Sequence, residues 1–326
     1  MEGGVKGLEY QAEPRDAYKI AYIIHFLLGA GNLLPWNAFI TAVDYFGHLY
    51  PTKHVEKVFS VAYMSSSVVV LVVMMSWGSW WEKMSPRLRL NLGFSLFILS
   101  LMVAPVTDWF WYSTTGSSSG RANAGYGVTV ASVVVCGLAD GLVGGSLMGS
   151  AGKLPKKYMQ AVFAGTASSG VTISLLRIST KAMLPQTPKG FIAENLESKL
   201  LQDWYPILLI TVYNIADLVG KSLTAVYLLK SIKKATWACI TRLLFYPIFT
   251  ACLHGPIWLK TEIPMVVLTF LLGLTNGYLT SVIMMIVPKT VPVSEAELSA
   301  IVMVVFLGLG WSVVRFSAGS GSYEPH

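Results

Sequence analysis

The sequence predicts an all-α, polytopic helical membrane protein, and three observations lead there. Of 326 residues, 54% are hydrophobic and only 13% charged, whereas soluble domains carry roughly 25% charged residues. The mean hydropathy is +0.58. The apolar residues gather into nine runs, each near the 20 or so residues a membrane helix needs. Such a composition can neither cover a soluble surface nor leave the chain disordered, since disorder requires low hydrophobicity and high charge.

The runs cover 19–43, 58–81, 90–111, 126–150, 160–183, 204–229, 237–259, 263–287 and 298–316. The first is too long for a secretory signal and lacks a small-residue cleavage site, so it stays as an anchor. It contains Pro35, which cannot donate its backbone hydrogen bond and clashes with the carbonyl of Gly31, so a kink is expected there. Asn32, Trp36 and Asn37 flank that kink. A polar wall and ordinary helix packing both fit this arrangement. The fourth run carries Gly137, Gly141, Gly145 and Gly149 on one face, a spacing that favours close helix packing. Asp140 lies one position off that stripe and, as an acid in mid-membrane, is costly. A pair with Arg177 and a protonatable site both remain open for it. The sixth run places Tyr213, Asn214, Asp217 and Lys221 on one face. Asp217 precedes Lys221 by four residues, the favourable order for a helix pair. Intramembrane ionisable groups point to function by default. The eighth run adds Asn276, Tyr278, Thr280 and Ser281.

Lys and Arg in alternate loops orient the chain. A cytoplasmic N-terminus puts 13 of them inside and 8 outside, which favours that orientation. The expected organisation is a cytoplasmic tail over 1–18, a five-span bundle over 19–183 and an outer connecting loop over 184–203. A four-span bundle over 204–316 and a tail over 317–326 follow. Trp77, Trp80, Trp81 and the 109–112 cluster sit at run ends, as an interfacial aromatic belt does.

Several functions are excluded. The net charge of +7 reflects loop lysines rather than a clustered basic patch, so no nucleic-acid partner is expected. Cys136, Cys239 and Cys252 lie inside apolar runs without metal-ligand spacing, so neither a metal nor a disulfide is expected. No P-loop, nucleophile elbow or paired catalytic spacing occurs, so the chain reads as no enzyme and calls for no cofactor.

Four stretches carry a resemblance: GNLLPWNAFITAVDYF (31–46), YNIADLVGKSLTA (213–225), RLLFYP (242–247) and LTNGYLTSVIMMIVPKTV (274–291). They resemble the equilibrative nucleoside transporter family, and residues 137–170 resemble its plant members. The likeness runs from about residue 18 to 310. It implies a major-facilitator-like two-bundle architecture, two pseudo-symmetric bundles around a central cavity, with nucleosides, and nucleobases as a further option, moved by alternating access. Leu33 and Trp36 match positions facing the nucleoside, and Asn37 completes their PWN motif. Asp217 matches an acid that contacts ribose hydroxyls, Lys221 its basic partner and Asn214 a polar neighbour. Gly144 stands where animal relatives carry a base-contacting Gln, which leaves base selectivity open. Plant relatives are often proton-coupled; protons as co-substrate would suit Asp140. The lipid bilayer is the other partner, in the plasma or vacuolar membrane.

The chain departs from this family in one large respect. The family has eleven spans, and here LPQTPKG (184–190) runs almost directly into LLQDWYPILL (200–209), so the sixth span, the central loop and the seventh span are missing. After Gly310 the chain also turns from the family's apolar pattern to WSVVRFSAGSGSYEPH. A shortened gene product is the expectation, with a transport-incompetent membrane interaction partner as the alternative function.

Overall fold

A backbone in hydrocarbon has to satisfy its own hydrogen bonds, and the apolar runs do so as helices. The computed structural model describes residues 16–51, 53–77, 83–112, 119–183, 196–254 and 262–319. In order these form α1 (Ile20–Thr41), α2 (Val43–Leu49), α3 (Val55–Ser76), α4 (Pro86–Tyr112), α5 (Ser119–Lys153) and α6 (Lys156–Met183). They continue with α7 (Leu196–Val226), α8 (Ile232–Thr241), α9 (Phe245–His254), α10 (Glu262–Ile286) and α11 (Val293–Gly319). No strand occurs among the described residues. Nine segments among them are long and apolar enough to cross a membrane, with α8 and α9 jointly forming one. The protein is a multi-pass integral membrane protein.

Several helices start before their apolar runs. α3, α4, α8 and α11 begin three to five residues early, taking in Glu56, Lys57, Arg87, Arg89, Lys233, Lys234, Glu295 and Glu297. Hydropathy registers the part in hydrocarbon, whereas these helices start in the polar interface. The same effect corrects the connecting loop. Residues 196–203, expected in that loop, are helical and form the first turns of α7. The tail residues 1–15 and 320–326, the connection 184–195, Trp80 and Trp81 lie outside the described residues. At the end of α3, Trp77 is exposed. α1 remains helical on both sides of Pro35 and ends only at Thr41.

Glycines set the closest approaches. Gly29 of α1 lies against the Val162 backbone of α6, and Gly165 of α6 lies against the Phe26 carbonyl of α1. In the same way Gly137 and Gly141 of α5 meet the Tyr63 and Ser67 carbonyls of α3. Gly220 of α7 meets the Leu274 carbonyl of α10, while Gly277 of α10 meets the Asp217 carbonyl of α7. A Cβ at any of these positions would collide with backbone. These contacts replace hydrophobic driving force, which lipid does not supply between membrane helices. The glycine stripe of the fourth run is therefore a packing surface, against α3 at 137, 141 and 145 and against Glu297 of α11 at 149.

Helices α1 to α6 precede the 184–195 connection and α7 to α11 follow it, and the two sets meet where α6 lies against α7 and α10 and where α11 lies against α3 and α5. α6 lies along α7. α11 lies across α3 and α5, where Leu71, Met74, Leu142, Ile301 and Val305 make an apolar cluster. At one end of that contact Glu297 of α11 pairs with both Arg89 of α4, at 3.5 Å, and Lys153 of α5. Beside it the Lys289 ammonium donates to the Gly152 carbonyl at 3.1 Å.

Candidate functional site

The site grows out of one turn of α7. Asp217 and Lys221, four residues apart, point the same way on a helix and pair with Nζ 2.8 Å from Oδ2. Each residue is only 7% exposed. A buried pair of this kind holds only when further hydrogen bonds satisfy the remaining atoms, and here they do. Asn276 of α10 donates from Nδ2 to Asp217 Oδ1 at 2.9 Å. Arg242 donates from Nη2 to Asn276 Oδ1 at 3.1 Å, which fixes which end of that amide faces Asp217. The Lys221 ammonium also donates to the Thr166 hydroxyl of α6 at 3.2 Å and lies 5.9 Å over the Phe163 ring.

A break in the seventh span presents Arg242. Between α8 and α9 the chain tightens into a 3-10 turn, Arg242–Leu244. Pro247 follows; it has no N–H to give the Leu243 carbonyl, and the regular ladder gives way there. Arg242 thus sits where the backbone departs from α geometry, as functional positions in membrane helices often do.

Asn214, one turn before Asp217, donates to the Ser174 hydroxyl at 2.8 Å and the Gly170 carbonyl at 3.2 Å, both on α6. Asn37 of α1 donates to Ser169 of α6 at 2.9 Å. α6 therefore offers a polar strip, Thr166, Ser169, Gly170 and Ser174, that receives groups from α1 on one side and α7 on the other. Trp36 is buried and stacks on Tyr63 of α3, with ring centroids 4.2 Å apart. Leu33 packs, half-buried, on the same aromatic cluster.

Of the residues expected from sequence, the structure thus brings Asn214, Asp217 and Lys221 together, with Asn37 joined through α6. Leu33 and Trp36 belong to a second patch against α3. Asp140 is elsewhere again: its carboxylate accepts from Ser67 of α3 at 2.8 Å, and the buried Tyr63 hydroxyl faces it without hydrogen-bond geometry. The pair with Arg177 does not form. α5 and α6 run antiparallel from a turn at 154–155, which sets Asp140 and Arg177 about 12 Å apart in depth at 1.5 Å per residue.

Thr166 and Arg242 were not chosen from sequence, and Asn276 was noted only as one of the polar groups of the eighth run. Arg242 and Asn276 lie inside the RLLFYP and NGY stretches that carried the resemblance, so their signal was there. Thr166 sits in a run of small residues, FAGTASSG, and no spacing singles it out.

The chemistry available is recognition rather than bond-making. An ionised carboxylate is an acceptor with about four lone-pair sites. Lys221 and Asn276 occupy two at Asp217, which leaves acceptors for a ligand's hydroxyl groups.

Comparison with known proteins adds to this picture. A family model described as nucleoside transporter matches residues 130–192 and 189–315. The chain is 56% identical to equilibrative nucleotide transporter 8 of Arabidopsis thaliana, over 92% of this chain and 94% of that protein. It is 41% identical to equilibrative nucleotide transporter 1 of the same plant, over 91% and 85%. Equilibrative nucleoside transporter 4 of Homo sapiens is 32% identical over 53% of this chain and 31% of its own length. The first alignment spans 375 positions, yet 92% of 326 residues is about 300. About 75 positions of that alignment therefore face no residue here. The two matched stretches meet at 189–192, in the connection between α6 and α7 where the sequence pattern lacks two spans.

Proposed function

The chain belongs to the equilibrative nucleoside transporter family, and on that premise we propose that it carries nucleosides across a membrane. The observation that carries this reading is the buried Asp217 carboxylate, held by Lys221 and Asn276 with acceptor sites to spare. Vicinal ribose hydroxyls are the natural donors for it. Leu33, Trp36 and Asn37 of α1 would bound the ligand from the other side, with Asn214 tying α7 to α6.

Movement would proceed by alternating access, the two halves rocking about the site. The contacts between halves suit this. The α6–α7 contact carries the hydrogen bonds of Asn214 and Lys221, and the α11 contact, apolar around Leu71 and Ile301, ends in ion pairs that can separate in water. Asp140 is the candidate for proton coupling, since it is an acid held by a single hydroxyl behind the Trp36–Tyr63 stack. The gap between α6 and α7 removes one helix from each half, so turnover should fall below that of an eleven-span relative.

The test is uptake of labelled adenosine by transport-null cells, normalised to surface protein, at two external pH values. The expected result is low uptake that Asp217→Ala abolishes and that loses its pH dependence in Asp140→Asn. Uptake that survives Asp217→Ala would overturn the assignment of the site. Absent uptake, with the protein at the surface, would favour the transport-incompetent alternative.

A further inference from the structure

The span formed by α8 and α9 sits at the edge of the bundle. It is the least buried of the nine membrane-crossing segments among the described residues. α8 buries only Ala235, against Val282 and Ile286 of α10. Around that contact Trp237, Leu243 and Tyr246 are exposed, so most of this span meets lipid rather than protein. It nevertheless delivers Arg242 to Asn276, at 3.1 Å, and so holds the amide that faces Asp217. A span packed this thinly needs a second hold if that bond is to keep its register.

The start of the span has the chemistry for one. The chain leaves helical geometry over residues 227–231, between α7 and α8, and Lys230, Lys233 and Lys234 stand exposed at this turn. Among the described residues none of the three pairs with a carboxylate. The sequence has no Asp or Glu from 218 to 261, so this whole stretch of chain supplies them with no counter-charge. Val226 and Tyr227 on one side and Trp237 on the other are 87%, 62% and 67% exposed. Cations set among bare apolar and aromatic surface at the end of a membrane helix match a phospholipid. Its phosphate suits the ammonium groups, and its glycerol and upper acyl region suits the rings. A soluble polyanion would use the charge and leave the rings in water. We infer that the α7–α8 turn binds the headgroup of an anionic lipid through Lys230, Lys233 and Lys234, and that this lipid pins the α8–α9 span so that Arg242 stays on Asn276. Lys234 precedes Arg242 by eight residues, about 12 Å along a helix, so the anchor stands about two turns from the residue it steadies. The effect on Arg242 rests on the transporter reading above; the lipid site does not.

The experiment titrates the full chain in neutral detergent micelles with phosphatidylserine, read by native mass spectrometry, and measures adenosine affinity with and without that lipid. Each lysine near an anionic surface strengthens attraction about 5-fold, so three give about 100-fold. The triple variant Lys230→Gln, Lys233→Gln, Lys234→Gln should lose about that much phosphatidylserine affinity. A control that removes the same charge from exposed positions on the same side of the bundle, Lys83→Gln, Arg87→Gln, Lys156→Gln, should keep it. Without lipid the first variant should bind adenosine as wild type does, which also reports an intact fold. In wild type, phosphatidylserine should tighten adenosine binding toward the factor of about 10 that the Arg242 hydrogen bond is worth, and in Arg242→Gln it should change nothing. Equal lipid affinity in the two triple variants would overturn the inference and leave the transporter reading intact. Displacement of the lipid by an equal concentration of glycerophosphoserine, the headgroup without its acyl chains, would overturn the lipid as occupant in favour of a soluble anion. Adenosine affinity indifferent to bound lipid would overturn the pinning of Arg242. Wild type that binds the lipid but no adenosine would overturn the transporter reading and leave the lipid site standing.

Discussion

Lys221→Met is the sharpest perturbation of the site, because it removes the ammonium and keeps most of the stem. Asp217 is then a buried carboxylate with Asn276 as its remaining donor. Thr166 loses its donor as well. Stranding one member of a buried pair costs about 3–5 kcal/mol. Asp217→Asn strands Lys221 instead, which keeps Thr166, and should cost about 3 kcal/mol by the same reasoning. The double variant, Asp217→Asn with Lys221→Met, leaves no charge behind at nearly constant volume and should cost about 1 kcal/mol. The coupling between the two positions is thus about 5 kcal/mol or more, well above the scatter of about 0.5 kcal/mol seen for independent sites. Reversible unfolding in mixed micelles titrated with dodecyl sulfate, followed by tryptophan fluorescence, gives the four free energies. Single costs that simply add in the double variant would refute the argument, and would mean that the pair is open to water rather than desolvated.

Arg242→Gln should release the Asn276 amide to turn over, weakening ligand binding by about 10-fold, or about 1.4 kcal/mol, with surface protein unchanged; a binding titration on purified protein reads this. Gly165→Ala forces a Cβ onto the Phe26 carbonyl and should cost about 1–3 kcal/mol. Gly127→Ala, where nothing lies within 4 Å, should stabilise the same helix bundle by about 0.5–1 kcal/mol. The two together test whether the glycines act by contact or by flexibility. Glu297→Gln should weaken the contact with Arg89 and Lys153 by about 1 kcal/mol. A cysteine replacing the fully buried Ala300 should then label roughly 5-fold faster, and an unchanged rate would remove the ion pairs from any role in holding the halves together.

The membrane spans were readable in the sequence because hydrocarbon imposes one rule on all of them: an apolar run becomes a helix. Asp217 and Lys221 were readable because a one-turn spacing is a property of the chain itself. What could not be read were partners set by the angle and depth at which helices cross. Thr166 becomes a site residue only when α6 lies along α7, and Asn276 only through the Gly277–Asp217 approach that draws α10 in. The Asp140–Arg177 pair failed for the same reason, since the sequence shows both charges but not their levels in the bilayer. Nor could the sequence show that the Asn37 amide donates to Ser169 across the α1–α6 contact. Residues 196–203 looked like a loop because hydropathy judges solvent, and an amphipathic helix in the interface has the composition of one.

The seams of this bundle come in two textures. Inside each half the helices are joined dry, α1 to α6, α3 to α5 and α7 to α10, through glycines pressed onto bare carbonyls, and no water can replace those contacts. Between α6 and α7 the join is made of hydroxyl, amide and ammonium groups, whose bonds water can exchange at little cost. A body built this way has a grain, like split timber. Load applied across it should part the wet seam first and leave the dry ones whole, so α1 with α6 and α7 with α10 would each move as a solid piece, carrying its share of the site with it.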